Sequence, residues 1–173
     1  GISWSSIEHD WDGTPKLPIA TATELVLGDE VGVAVDGVQS NAGDYTATAA
    51  RLTGADARNY VLPTDVTVSF SILPSQLLSV TATGYDGTYD SSPHAVTAAA
   101  NVDGAKIQYS ESDPTSDGFN PTSWKDAAPS LTNVGEKTIW VRATCPNYVD
   151  AGSSATLKIT PRPVTVKADN KAK

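Results

Sequence analysis

The chain has 173 residues, one cysteine, no methionine and a formal charge of −8, which excludes an intrachain disulfide and a multi-cysteine zinc site. Its 12 Lys and Arg residues are scattered, without the basic footprint a nucleic-acid partner requires, and no run reaches the roughly 20 apolar residues of a membrane span. Acidity of this degree favours solubility, and the abundance of Thr, Ala, Val, Ser, Asp and Gly suits short strands and tight turns.

Four short patterns occur twice in the same order. Asp12-Gly13-Thr14, Asn41-Ala42-Gly43, Asn59-Tyr60 and Phe70-Ser71-Ile72-Leu73-Pro74 are answered by Asp86-Gly87-Thr88, Asn133-Val134-Gly135, Asn147-Tyr148 and Leu157-Lys158-Ile159-Thr160-Pro161. Self-similarity at this period marks tandem modules. The expected boundaries are 1–74 for module one and 75–163 for module two. Val164 to Asp169 mirrors Leu78 to Thr83, so 164–173 reads as the truncated first strand of a third module, free to fray or to pair with a neighbouring edge.

In chain order, the first residues carry neither the basic nor the apolar region of a signal peptide, and the chain is expected to be soluble as it stands. His9 and His94 are expected beside turns, without the spacing of a nucleophile elbow or a metal site. Asp12-Gly13 after Trp11, and Asp86-Gly87 after Tyr85, both read as hairpin turns, since both positions tolerate positive φ. Asp10 and Asp12 resemble part of a calcium loop, but the other oxygen ligands and the terminal Glu are missing, so no metal is expected. No cofactor or catalytic residue is expected either.

Asn41-Ala42-Gly43-Asp44-Tyr45-Thr46-Ala47 has the spacing of the tyrosine corner of immunoglobulin-like sandwiches, in which a Tyr at a strand start hydrogen-bonds back across the preceding turn. Lys137 stands in the Tyr position of module two. Helical pattern is weak, with one short turn expected between Ala50 and Ala57. Leu62-Pro63-Thr64-Asp65-Val66 departs from a sortase signal at its last two residues. Val66 to Ile72 and Ala155 to Thr160 alternate with period two, as half-buried strands do, and each run ends at a proline. Pro74-Ser75-Gln76 and Thr160-Pro161-Arg162-Pro163 then read as short linkers that hold the modules in a semi-rigid, elongated line.

Module two alone contains the turn-rich loop Ser110 to Gly118 and the segment Pro121 to Lys125. In its later strand, Ile139 and Val141 are expected inward with the stem of Lys137, while Thr138, Trp140 and Arg142 point outward. Trp124 and Trp140 are the candidate ligand-binding residues. Two readings stand for them: an exposed, coplanar stacking platform for a sugar ring, or a structural role in which they cover each other or the module junction. Lys137 is the one lysine placed for a Lys–Asn isopeptide crosslink. Cys145, before Pro146, reads as a half-buried thiol at a strand end.

Tyr85-Asp86-Gly87, Trp124, Asn133 to Gly135 and Asn147-Tyr148 resemble the repeats of very long surface proteins of Gram-positive gut and oral bacteria, and Val164 to Asp169 is similar to the opening of the related MBG-type repeats. Module one departs most, with Trp11 for the Tyr and no middle Trp. The resemblance implies all-β, tandem immunoglobulin-like sandwich modules in a bacterial cell-surface or cell-wall protein, extracellular, non-catalytic and monomeric. Their expected role is as stalk or spacer, with adhesion to a host glycan or extracellular-matrix ligand. A carbohydrate- or mucin-binding module using the aromatics of module two is the alternative.

Overall fold

The computed structural model describes residues 1–64 and 66–167. Over these residues the chain is all-β, with 14 strands, two single-turn 3-10 helices and no α-helix. It divides into two compact units: unit one is Gly1–Leu77 with Pro146–Val149, and unit two is Leu78–Cys145 with the chain from Asp150 onward.

Unit one contains β1 (Ile2–Ser5), β2 (Glu8–Asp10), β3 (Ile19–Ala22), β4 (Gly32–Asp36), β5 (Gly43–Thr53) and β6 (Thr67–Leu73). They form a four-stranded sheet in the order β2-β6-β5-β4 and a two-stranded sheet β1-β3. The period-two pattern of β6 sends Val68, Phe70 and Ile72 to one face. Phe70 and Ile72 are buried there with Ala47 of β5, and Trp4, Trp11, Leu17 and Val35 pack around them. Burying a Phe or Ile side chain of this kind contributes about 1.5–3 kcal/mol, which makes this cluster the main support of the unit.

The tyrosine corner forms as its spacing predicts. Tyr45 lies opposite Phe70 in the β5–β6 ladder, with ring centroids 5.7 Å apart, and its hydroxyl donates to the Asn41 carbonyl at 3.0 Å. Pro146–Val149 belongs to the same unit. Asn147, held at φ 68°, accepts the Ala42 N–H on Oδ1 at 2.8 Å, and Tyr148 meets Trp11 edge-on at 5.1 Å.

Two expectations for module one change. The turn at Asp12-Gly13 exists, with Gly13 at φ 81° and Asp12 Oδ1 accepting from the Thr14 N–H at 2.9 Å, but it closes no hairpin. β2 before it pairs in parallel with β6, so that the chain must leave the sheet after Asp10 instead of folding straight back. The helical turn expected between Ala50 and Ala57 comes later, at Ala57–Asn59. Arg51, Leu52 and Thr53 pair with Ala34, Val33 and Gly32, and these ladder bonds override a weak helical preference.

Unit two contains β7 (Val80–Thr83), β8 (Tyr85–Thr88), β9 (His94–Ala95), β10 (Thr97–Ala100), β11 (Lys106–Ser110), β12 (Ser130–Leu131), β13 (Gly135–Thr144) and β14 (Ala151–Thr160). Its four-stranded sheet runs β11-β13-β14-β8. This is the order of unit one again, including a parallel outer pair, here β8 with β14. The pairs β7-β10 and β9-β12 complete the unit. Ile139, Val141, Ala143, Leu157 and Ile159 are buried on the inner face, with Leu78, Val80 and Val96 opposite. The inward and outward assignment of β13 is therefore the expected one.

Asp86-Gly87 is not a turn. Both residues lie inside β8, and Gly87 is there because the Tyr85 ring folds over it: a Cβ would stand 2.6 Å from Tyr85 Cζ. The same ring stacks on His94, with centroids 3.5 Å apart and planes 9° from parallel. His94 opens β9 after the Asp90 to Ser92 turn, and His9 is the middle residue of β2. The strand expected from Val164 is absent as far as Lys167; Val164 and Val166 are each 88% exposed. Pro161 and Pro163 withhold two ladder donors from this stretch, and positions 168–173 lie outside the described residues.

Candidate functional site

The two candidate tryptophans come together in unit two. Trp140 and Arg142 lie two apart on the outer face of β13, so their side chains stand side by side. On the adjacent strand, the residues opposite them in register are Ser154 and Gly152. Large side chains on one strand beside small ones on the next leave a trough along the sheet. Pro114, Thr115, Trp124 and Asp150 also line it, and the open groove has a volume of about 340 Å³. That is the lower end of the range of small-molecule sites, about 300–1,000 Å³.

Each wall is pinned locally. The loop after β11 turns on Asp113, whose Oδ1 accepts from the Thr115 N–H at 2.8 Å and from the Thr115 hydroxyl at 2.7 Å. At its base, buried Ser110 donates from Oγ to the Ser112 carbonyl at 2.9 Å. Trp124 follows the 3-10 turn Pro121–Ser123, which is capped by Asn120 Oδ1 accepting the Thr122 N–H at 3.0 Å. Lys125 then exchanges two 2.8 Å backbone hydrogen bonds with Tyr109. The segment found only in module two is thus stitched to the sheet edge.

Arg142 organises the polar side of the groove. Its guanidinium carbon sits 4.8 Å from the Trp124 ring centroid, a cation–π arrangement. Nη2 donates to Gln108 Oε1 at 2.7 Å, and Gln108 donates in turn to Asp126 Oδ1 at 2.9 Å. Asp126 also meets Lys106 at 3.1 Å. The Gln108 amide first, and the Lys106 ammonium second, hold the Asp126 carboxyl below its ordinary range. Arg142 Nη1 faces Asp150 Oδ2 at 3.9 Å, longer than a hydrogen bond. Both groups therefore keep hydrogen-bonding capacity at the groove.

The platform expected of the tryptophans takes a different form. Trp124 and Trp140 line one groove, but each is half-buried rather than exposed. Trp124 is engaged on its own account, with Arg142 over its ring and Phe119 edge-on at 5.8 Å. Trp124 is thus committed to the wall of the groove, and Trp140 lines it without an aromatic partner among the described residues. Arg142, Asp150, Gly152 and Ser154 were not candidates from sequence, although the period-two register that placed Trp140 outward places Arg142 beside it.

Other candidates resolve differently. Lys137 leans over to Glu111, Nζ to Oε1 2.8 Å. His9 packs edge-on against Phe70 at 6.4 Å, with Nε2 buried and unpaired. Among the described residues no three His, Cys, Asp or Glu side chains gather as metal ligands do, and no helix is long and apolar enough to cross a membrane.

No family model and no curated protein matches the chain. Among solved structures, the fibronectin(III)-like modules of Clostridium thermocellum CbhA align with 99% of this chain and 100% of theirs, at 8% identity and a TM-score of 0.31. A likeness that distant bears on neither the fold nor the function of this chain.

Proposed function

We propose that this chain is a non-catalytic part of an extracellular bacterial cell-surface or cell-wall protein: two immunoglobulin-like modules, 1–74 and 75–163, that act as a spacer and carry a glycan-binding groove on the second. The immunoglobulin-like reading is supported by the strand order β2-β6-β5-β4 and its repeat β8-β14-β13-β11, together with the Tyr45 corner. The surface-protein reading rests on the repeated turns and strand ends and on their resemblance to Gram-positive surface repeats.

One observation carries the binding role: Trp124, from the segment found only in module two, and Trp140 of β13 line a single groove with Arg142 and Asp150. An aromatic ring beside a few placed polar groups is the usual composition of a small-ligand site. The ligand class is a host glycan. A glycan and extracellular-matrix binding screen of the 173-residue chain beside Trp140→Ala tests it. Binding lost in the variant, with an unchanged unfolding midpoint, is the expected outcome; equal binding by both proteins places the site elsewhere.

A further inference from the structure

Resting on that glycan reading, we infer that the ligand is a neutral pyranose residue, its C–H face on Trp140 and a pair of adjacent hydroxyls shared between Asp150 and Arg142. The charge of the groove selects against an acidic sugar. Arg142 is its lining cation, and the Asp150 carboxylate stands 3.9 Å from it, so the pair presents a donor and an acceptor with no net charge. The chain as a whole carries −8, which opposes the approach of a polyanion.

The pair also suits a vicinal diol chemically. A hydroxyl both donates and accepts: one can donate to the carboxylate while its neighbour accepts from the guanidinium. The separation that makes Arg142 and Asp150 a poor direct pair leaves Nη1 and the carboxylate open to a third partner. Asp150 is 55% exposed and open to a ligand, whereas Gln108 and the Trp124 ring hold Arg142 in place. Gly152 and Ser154 supply the low floor beside Trp140, giving a flat ring access to the indole.

The test is a calorimetric titration of the full chain, wild type and Asp150→Ala. The ligands are neutral gluco-, galacto- and manno-configured oligosaccharides, their sialylated, uronic-acid and sulfated counterparts, and a proline-rich peptide. The neutral sugars should bind with little dependence on salt. Asp150→Ala should weaken them about tenfold with an unchanged unfolding midpoint, and a monodeoxy analogue lacking one of the two hydroxyls should lose a similar factor. Tighter binding of acidic glycans, or an affinity that rises in Asp150→Ala, overturns the neutral diol while leaving a glycan groove. Binding of no glycan, or of the proline-rich peptide alone, overturns the glycan reading itself.

Discussion

The repeat pattern assigns similar residues to different jobs in the two units. Tyr45 locks the corner of unit one through the Asn41 carbonyl, while in the matching place Lys137 reaches for Glu111. Tyr45→Phe should lower the stability of unit one by about 1 kcal/mol, measured by denaturant unfolding. Lys137→Ala should cost less than that, since a partly exposed ion pair contributes little. Asp12 gives a pH signature: hydrogen bonds from Lys16 and Thr14 hold its carboxyl far below the ordinary 3.8. A depressed folded-state value stabilises the fold above the unfolded value and is lost as pH falls toward the folded one. Wild type should therefore exceed Asp12→Asn in stability at neutral pH, and the gap should narrow below about pH 4; a constant gap down to pH 2 would contradict the assignment. The corner was legible from Asn41 to Tyr45 because its spacing is local. The Asp86-Gly87 turn was misread because a dipeptide cannot show that the Tyr85 ring lies over Gly87.

At the scale of the element, β13 supports both the core and the site. Its inward residues Ile139 and Val141 are buried, and its outward residues Trp140 and Arg142 line the groove. Ile139→Ala should cost about 2–5 kcal/mol and blunt ligand binding through loss of the strand. Trp140→Ala should affect binding alone. Gly84, between β7 and β8, tests the parallel outer pair. A Cβ there would run into the Thr156 carbonyl oxygen of β14, which β14 cannot withdraw without giving up its pairing, so Gly84→Ala should destabilise unit two by roughly 1–3 kcal/mol. Strands such as β6 and β13 were legible because period two survives in them. The parallel pairing of β2 and β8 was not, because three- and four-residue strands carry too little pattern to show a partner far along the chain.

For the molecule as a whole, the repetition in the sequence is realised as a repeated sheet order, and the groove lies in what was not repeated. Trp124, the loop from Ser110 to Gly118 and the outward Trp140 all belong to module two alone, which is why the sequence directs attention to the unit that carries the groove. The remaining lining residues were hidden for a physical reason: Gly152 and Ser154 matter for the space they leave, and Asp150 for a neighbour across the turn. The chain's four tryptophans offer the most direct check. Trp4 and Trp11 pack around the core of unit one, whereas Trp124 and Trp140 line the groove. In an NMR titration of the indole N–H resonances with a neutral oligosaccharide, Trp140 and Trp124 should shift on binding while Trp4 and Trp11 hold still. Shifts confined to Trp4 and Trp11, or none at saturating sugar, would contradict the account.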